Sequence, residues 1–222
     1  METQPTTPDT RTLDEYLRAL RSVQPTPGGG SAAAYCGALG ASLGAMVCRL
    51  TSSKPSNDES TSLTEVAGTI DVIVDRLSQA ARDDERCFAN YQVATRLPKA
   101  TDDEKRDRKV ARQEALRLAA EAPLGAAELA LKALQALPEV ARLGTHHALS
   151  DVDAARVLLQ ASIDGSLINV QVNVDMVTDE AAATALSIRM SELRQSARDA
   201  DRDIQAALAQ RGDEHPSIND CR

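Results

Sequence analysis

Aromatic residues are scarce in this sequence, which contains no tryptophan, one phenylalanine and three tyrosines among its 222 residues. Hydrophobic residues still make up 42% of the chain, so the core has to be built from aliphatic side chains and alanine. Such a composition favours closely packed helices, because alanine is the strongest helix former. The length suffices for one well-packed domain and gives no reason to expect two.

Basic residues are too few to dominate the surface. Lys and Arg number 25 against 33 Asp and Glu, which gives a net charge of −8. Nucleic acids and anionic membranes attract proteins through an excess of positive charge, so neither is expected as the main partner.

The signals of export and of membrane insertion are also missing. The four cysteines lack CxxC spacing, which argues against a disulfide scaffold or a zinc site. Residues 1–11 have no apolar region of the kind found in signal peptides. The run at residues 32–48 is mostly Ala and Gly and is short for a membrane span of about 20 residues. We therefore predict a core helix at residues 32–48 and a cytoplasmic protein.

The most distinctive stretch is PTPGGGSAAAYCGALGASLGAMVCR at residues 25–49. Gly28, Gly29 and Gly30 let the backbone approach another group closely, because no Cβ intervenes. Ser31 can cap the helix that follows, so that free amides at its start point toward an anion or a carbonyl. A plain tight turn is the alternative. No nucleotide-binding motif fits, since position 33 is alanine and no GK[ST] follows.

Periodicity predicts an all-α fold, a single-domain bundle of long and short helices that forms a dimer. Its boundaries are a flexible N-terminus at residues 1–11, a helical domain at 12–211 and a polar C-terminal tail at 212–222. Helices are predicted around residues 13–20, from 31, over 63–97, from the capping box at 101–104, over 138–144, from the S-x-x-D box at 150–153 and from 178. Pro123 is expected to kink or divide the fourth of these. The last helix has an apolar seam suited to a bundle or a dimer.

Residues 167–174 alternate apolar and polar side chains, which is the period of a strand. No other segment offers a partner strand, and a lone strand cannot satisfy its backbone hydrogen bonds. We therefore interpret this segment as the end of the helix that starts near residue 151.

Asp84 is the most informative carboxylate, because helical spacing places it on the same stripe as Leu77, Phe88 and Tyr91. A buried acid needs a partner or a ligand, and its pKa is open to tuning. The alternative is a structural acid that caps or bridges a neighbouring helix. Asp83 and Glu85 fall off the stripe and are expected in solvent.

Other polar residues are candidates of lower specificity. Asp151 can act at the site or simply favour the helix dipole after Ser150. Asn169 and Asn173 share a helix face and can bind a ligand or another helix. Lys99 follows Pro98 at a helix break, where its amine can reach across a cavity mouth. His146 and His147 point apart, and no further ligands for a metal can be nominated.

Taken in order, these motifs resemble the cyclodeaminase/cyclohydrolase family of folate enzymes. The family includes the C-terminal cyclodeaminase domain of formiminotransferase-cyclodeaminase and the free-standing methenyltetrahydrofolate cyclohydrolases. The matching motifs span about residues 12–205: PTPGGGS, GALGASLGAMVCRLT, DDERCF, RLPKATDDEK, AP, SDVDAA and NVQVN.

The resemblance implies an all-helical homodimer that acts on tetrahydrofolate derivatives with or without a polyglutamate tail, with no metal and no further cofactor. It implies hydrolysis of 5,10-methenyltetrahydrofolate to 10-formyltetrahydrofolate, or deamination of 5-formiminotetrahydrofolate to 5,10-methenyltetrahydrofolate. The implied catalytic acids are Asp84 and Asp151, with their relative roles unassigned. The implied substrate contacts are Gly28, Gly29, Gly30, Ser31, Lys99, Asn169 and Asn173. The missing formiminotransferase domain favours the cyclohydrolase.

The sequence departs from the family pattern twice. Residues 52–56 read SSKPS where relatives have a lysine-rich stretch, and Thr145 stands where an asparagine is usual. Two alternatives therefore stay open. One is a specialised relative that acts on another one-carbon or amidine substrate, and the other is a non-catalytic folate-binding or scaffold dimer.

Overall fold

The computed structural model describes residues 11–52 and 58–213, and over these ranges it is all-α, without a strand. This confirms the predicted fold class. Residues 1–10, residues 53–57, which include most of the SSKPS stretch, and the tail from residue 214 lie outside the described residues. The helices are α1 (Leu13–Leu20), α2 (Gly29–Ser52), α3 (Asp58–Thr95), α4 (Asp102–Leu143), α5 (Leu149–Val174) and α6 (Glu180–Asp213), with a 3₁₀ turn at His146–Ala148.

Helix α2 occupies the centre of the bundle and packs against α3, α4 and α5. Its small residues permit this, since a Cβ added at Gly40 would lie only 2.9 Å from the Ala155 carbonyl oxygen of α5. Among the described helices α2 is the one long and apolar enough to cross a membrane, yet 61% of its most apolar window is buried within the bundle. That burial agrees with the predicted core helix.

Helix α4 runs through both of its prolines, and the expected division at Pro123 and new start at Pro138 are wrong. A proline inside a helix removes a hydrogen bond and costs about 3 kcal/mol. Here α3, α5 and α6 pack along α4, and Pro123 is itself buried. Packing on several sides stabilises the continuous helix in spite of that cost.

Helix starts follow the predicted chemistry at one site and not at two others. Thr101 and Glu104 form the predicted reciprocal capping box. Ser150 does not cap α5, because the preceding 3₁₀ turn leads directly into the helix after Ala148. The last helix begins at Glu180, where the Asp179 carboxylate accepts hydrogen bonds from the next free amides.

The ambiguous segment at residues 167–174 is helical, as interpreted from the sequence. Leu167, Val170 and Val174 are buried at helical spacing, whereas Ile168 and Val172 are exposed. The predicted seam of α6 is also buried, and it packs within the same chain against α4 and α5. The described bundle therefore uses this seam internally.

Candidate functional site

A cavity of about 270 Å³ opens where the start of α2 meets α3, α4 and the last turns of α5. Six residues predicted from the sequence line it together: Gly28, Gly29, Gly30, Asp84, Asn169 and Asn173. They come from three helices that are distant in the chain, so only the packing of the bundle brings them to one place.

Gly30 allows Asp84 to reach the backbone of α2. A Cβ at Gly30 would lie 2.1 Å from Asp84 Oδ1 and 2.6 Å from its Cγ, which is closer than any side chain tolerates. The glycine at this position is therefore required by close approach.

Asp84 caps α2 from outside the helix. Gly28 accepts the first helical hydrogen bond, from Ala32, but has no side chain with which to bond the free amides. The Ser31 N–H donates instead to Asp84 Oδ2 at 2.9 Å. Asp84 thus has a structural role as a cap and also lines the cavity, and the hydrogen bond to Ser31 uses only its Oδ2 atom.

The environment of Asp84 raises the pKa of its carboxyl above the ordinary value. Burial raises the pKa of this carboxyl, the hydrogen bond from Ser31 lowers it, and the carboxylate of Glu85 raises it further, with burial the largest of the three effects. A raised pKa makes the carboxylate a stronger base than an exposed one, which suits it to proton transfer.

The two asparagines present their oxygen atoms as acceptors. Asn173 Nδ2 donates to the carbonyl oxygens of Ala119 and Asn169, both at 3.0 Å, and Asn169 Nδ2 donates to Gly165 O at 2.8 Å. A carbonyl accepts but cannot donate, so these contacts determine which way each amide points. Among the described residues, neither Oδ1 atom accepts a hydrogen bond, and both are available to a ligand.

The remaining walls are broad and apolar, and the sequence did not identify them as part of a site. They are formed by Phe88, Tyr91, Ala119, Val172 and Met176. Phe88 and Tyr91 follow Asp84 by four and seven residues on one helix face, a spacing that could have indicated a shared cavity. The contributions of α4 and of the loop after α5 had no comparable signal.

Ser31 does not have its predicted role. It lies inside α2, which begins at Gly29, and its side chain is fully buried. Its hydroxyl donates to Glu85 Oε1 at 3.3 Å and lies 3.1 Å from the Tyr16 hydroxyl. The expectation that Glu85 lies in solvent is also wrong, since its side chain is 18% exposed and pairs with Arg11 at 2.7 Å.

Two predicted site residues lie elsewhere in the chain. Asp151 is in the first turn of α5, 18 residues before Asn169, so about 27 Å of helix separates it from the cavity. The expected pairing of Asp84 with Asp151 at one reacting carbon does not occur within a single chain. Lys99 is exposed in the connection between α3 and α4 and is not among the residues that line the cavity.

A larger cavity of about 510 Å³ lies between α1, α2 and α3. Its lining is mostly apolar, with Leu13, Leu17 and Leu39 among its residues, and the charged side chain that lines it, Arg11, is paired with Glu85. We therefore assign the candidate site to the smaller cavity, where a carboxylate and two amides meet.

A family model described as formiminotransferase-cyclodeaminase matches residues 12–192, which is most of the chain. The chain belongs to this family. The resemblance inferred from the motifs is thereby confirmed, and the glycine-rich turn, Asp84 and the two asparagines all fall within the matched range.

Two relatives of this chain differ in how much of their own length it covers. The formimidoyltransferase-cyclodeaminase of Gallus gallus is 31% identical over 203 residues, which cover 91% of this chain but only 38% of that protein. The methenyltetrahydrofolate cyclohydrolase of Methylorubrum extorquens is 35% identical over 173 residues, 78% of this chain and 83% of that protein. The chain thus spans little more than a third of the first relative and most of the second.

The fold is shared with a solved structure. The crystal structure of formiminotetrahydrofolate cyclodeaminase from Thermotoga maritima superposes with a TM-score of 0.81 and covers 90% of this chain and 97% of that one. Sequence identity between the two is 21%, so this comparison speaks for the fold alone.

Proposed function

We propose that this protein is a folate one-carbon enzyme that hydrolyses 5,10-methenyltetrahydrofolate, deaminates 5-formiminotetrahydrofolate, or does both. The family relationship supports the substrate class. The observation that supports catalysis is the half-buried Asp84, which reaches the cavity beside two hydrogen-bond acceptors.

The charge of the cavity suits these substrates. The one-carbon unit is cationic both in the methenyl bridge and in a protonated formimino group. Asp84 in its ionised form stabilises such a cation, and it gains strength because the half-buried site is only partly screened by water. Asn169 and Asn173 add two acceptor oxygens, which complement the N–H groups of a reduced pterin ring.

Both reactions pass through a tetrahedral carbon between two nitrogens. In the hydrolysis, water adds to the cationic methenyl carbon while Asp84 accepts one of its protons. Asp84 then gives that proton to N5 as the carbon–N5 bond breaks, and the remaining hydroxyl proton is released to solvent as the formyl C=O forms. In the deamination, N10 adds to the carbon of the protonated formimino group, Asp84 takes the N10 proton and gives it to the formimino nitrogen, and ammonia leaves. One acid that cycles between its two protonation states serves either sequence.

The glycine-rich turn and the apolar walls shape the cavity for a flat ring. Gly29 lies against the Asn169 amide, and Phe88 and Tyr91 form one wall. A volume of about 270 Å³ suits the ring end of a folate better than the whole molecule. The p-aminobenzoyl-glutamate tail therefore extends outward, and the exposed amine of Lys99 is our candidate partner for a glutamate carboxylate.

The test is to incubate purified protein with each substrate. Loss of the near-ultraviolet absorbance of 5,10-methenyltetrahydrofolate faster than in buffer reports the hydrolysis, and release of ammonia from the formimino substrate reports the deamination. Asp84→Asn should slow turnover by roughly two to four orders of magnitude without unfolding the domain. If the wild-type protein shows neither activity, the proposal is refuted. Calorimetry with folate would then separate a folate-binding protein from a scaffold.

We propose further that the protein is a cytoplasmic homodimer. Apolar side chains are exposed on both α2 and α5, with Leu39, Ile168 and Val172 exposed by 59%, 63% and 57%. The two helices pack against each other, and the Cys36 thiol donates to the Leu158 carbonyl oxygen at 3.3 Å. We propose that these side chains belong to one apolar face, which is an interaction site.

A second copy is the occupant that fits this face, because Val172 also lines the cavity and a twofold contact would cover its rim. Light scattering should give twice the chain mass. Ile168→Glu should convert the dimer to a monomer, whereas the same change at the exposed Val110 of α4 should not. A wild-type protein that stays monomeric at micromolar concentration would contradict the dimer.

A further inference from the structure

One buried serine connects two adjacent carboxylates of α3. The Ser31 N–H donates to Asp84 Oδ2 at 2.9 Å, and its hydroxyl donates to Glu85 Oε1 at 3.3 Å. Both groups belong to a residue that is 0% exposed at the start of α2. Asp84 faces the cavity, whereas Glu85 points away from it toward α1.

The hydrogen bonds around this serine have a defined direction. Because the Ser31 hydroxyl gives its proton to the Glu85 carboxylate, its oxygen is left to accept from the Tyr16 hydroxyl, 3.1 Å away. Tyr16 is the buried residue of α1, at 7% exposure, and its ring meets that of Tyr35 edge-on at 4.9 Å. The position of Ser31 is therefore held from the side opposite to Asp84.

Arg11 completes the arrangement. Its guanidinium donates to Glu85 Oε1 at 2.7 Å and lies 5.5 Å from the centre of the Tyr16 ring. With Arg11 in place the charge of Glu85 is largely balanced, whereas among the described residues no cation pairs with Asp84. One carboxylate of the adjacent pair is neutralised and the other is available to the cavity.

We propose that Ser31, Glu85 and Arg11 form a positioning unit for Asp84, in which the serine holds both carboxylates and the guanidinium neutralises the one that faces away from the cavity. The proposal rests on the proposed function for its kinetic consequence only. Its electrostatic consequence concerns the ionisation of Asp84 and can be measured in the protein without substrate.

Within residues 11–52 and 58–213, the charged and titratable groups near Asp84 are few. On its own helix and beside α1 they are Asp83, Glu85, Arg86, Cys87, Tyr91, Tyr16 and Arg11. Helices α2, α4 and α5 contribute uncharged groups to the cavity, the glycines of α2, Ala119 and the two asparagines. Asp83 is paired with Arg86 and does not contact Ser31, which makes it a matched control for Glu85.

Two substitutions should move the pKa of Asp84 in opposite directions. Glu85→Gln removes a like charge but keeps an acceptor for the Ser31 hydroxyl, so the pKa of Asp84 should fall by about half a unit. Arg11→Gln leaves the charge of Glu85 unbalanced, so the pKa of Asp84 should rise by a similar amount. Arg11→Lys, which keeps the charge, should restore the wild-type value.

The experiment is a carbon-13 NMR titration of aspartate-labelled protein, with the Asp84 signal assigned by its loss in Asp84→Asn. Alongside it, the pH dependence of kcat/KM reports the same ionisation where activity is present. The acidic limb of that profile should shift down for Glu85→Gln and up for Arg11→Gln.

Three results would overturn the proposal. These are equal shifts for Asp83→Asn and Glu85→Gln, a pKa of Asp84 that does not respond to Arg11→Gln, and an Arg11→Lys variant that behaves like Arg11→Gln. If Arg11→Gln does not fold, Glu85→Gln and Asp83→Asn still decide between the serine-linked unit and mere proximity. Absent turnover in the wild-type protein would refute the proposed function and leave the NMR titration intact.

Discussion

Gly30→Ala is the most direct perturbation of the candidate site. The new methyl group would lie 2.1 Å from Asp84 Oδ1, inside the space that the carboxylate occupies. To reach an ordinary contact distance of 3.4 Å, the two atoms have to separate by about 1.3 Å. The clash involves all three carboxyl atoms, so rotation of the carboxyl group alone does not relieve it.

Gly30→Ala should reduce catalytic activity far more than it reduces the stability of the folded protein. Breaking the hydrogen bond between Ser31 and the charged Asp84 costs about 1.5–3 kcal/mol, and alanine in a helix returns up to about 1 kcal/mol relative to glycine. The net destabilisation is about 1–2 kcal/mol, which lowers the Tm by several degrees in a domain of this size. A catalytic group displaced by about 1 Å loses about 100-fold in rate.

The assay is kcat/KM for 5,10-methenyltetrahydrofolate together with a thermal melt. Gly68→Ala is the matched control, because it lies in α3 with no atom within 4 Å of the added Cβ. It should raise the Tm slightly and leave turnover unchanged. Wild-type turnover in Gly30→Ala would refute the assignment of Asp84 to the reacting centre, as would an equal loss in Gly68→Ala.

Four further predictions test individual residues. Gly29→Ala should lower kcat/KM by less than Gly30→Ala, since its Cβ would lie 3.2 Å from the Asn169 amide nitrogen, which can shift by a few tenths of an ångström; equal losses would contradict this. Burial raises the pKa of Asp84 above its value in the unfolded chain, so ionisation of this carboxyl lowers the stability of the folded protein at high pH. This loss of stability disappears as the pH falls below the pKa of the unfolded chain. Thermal melts should therefore show Asp84→Asn more stable than wild type near pH 7.5 and no more stable near pH 3.5. Asp151→Asn should leave turnover within about twofold of wild type and lower stability by about 0.3–1 kcal/mol through the helix dipole; a 100-fold loss would instead restore its predicted catalytic role and place it at a partner's cavity. Lys99→Ala should raise KM for substrates with a glutamate tail at constant kcat, and an unchanged KM would remove Lys99 from the substrate contacts.

Much of the candidate site could be predicted because helical periodicity is readable from the chain. Asp84 stands out as a charge on an apolar stripe, and the three glycines stand out against the small-residue helix that follows. The burial of Glu85 could not be predicted in this way. Glu85 follows Asp84 on α3 and lies off the apolar stripe, so periodicity predicts an exposed side chain. In the folded protein α1 covers that side of α3, and Arg11 and Tyr16 lie beside Ser31 and Glu85.

Local patterns also failed where tertiary packing outweighed them. Pro123 and Pro138 carry a local cost that predicts two breaks, but burial of α4 among three helices maintains a continuous helix. Ser150 has the composition of a cap, but the 3₁₀ turn before it already supplies the start of α5.

By itself the sequence determined the all-α class, the family and the identity of the acid at the cavity. Composition and periodicity depend on residues that are close together in the chain, so both can be read from one sequence. The tertiary structure decided which predicted residues meet. It joined Gly28–Gly30 to Asp84, Asn169 and Asn173, and it separated Asp151 from them by most of the length of α5. The physical reason is that contacts between distant helices depend on how closely the small face of α2 lets its neighbours approach, which no local pattern reports.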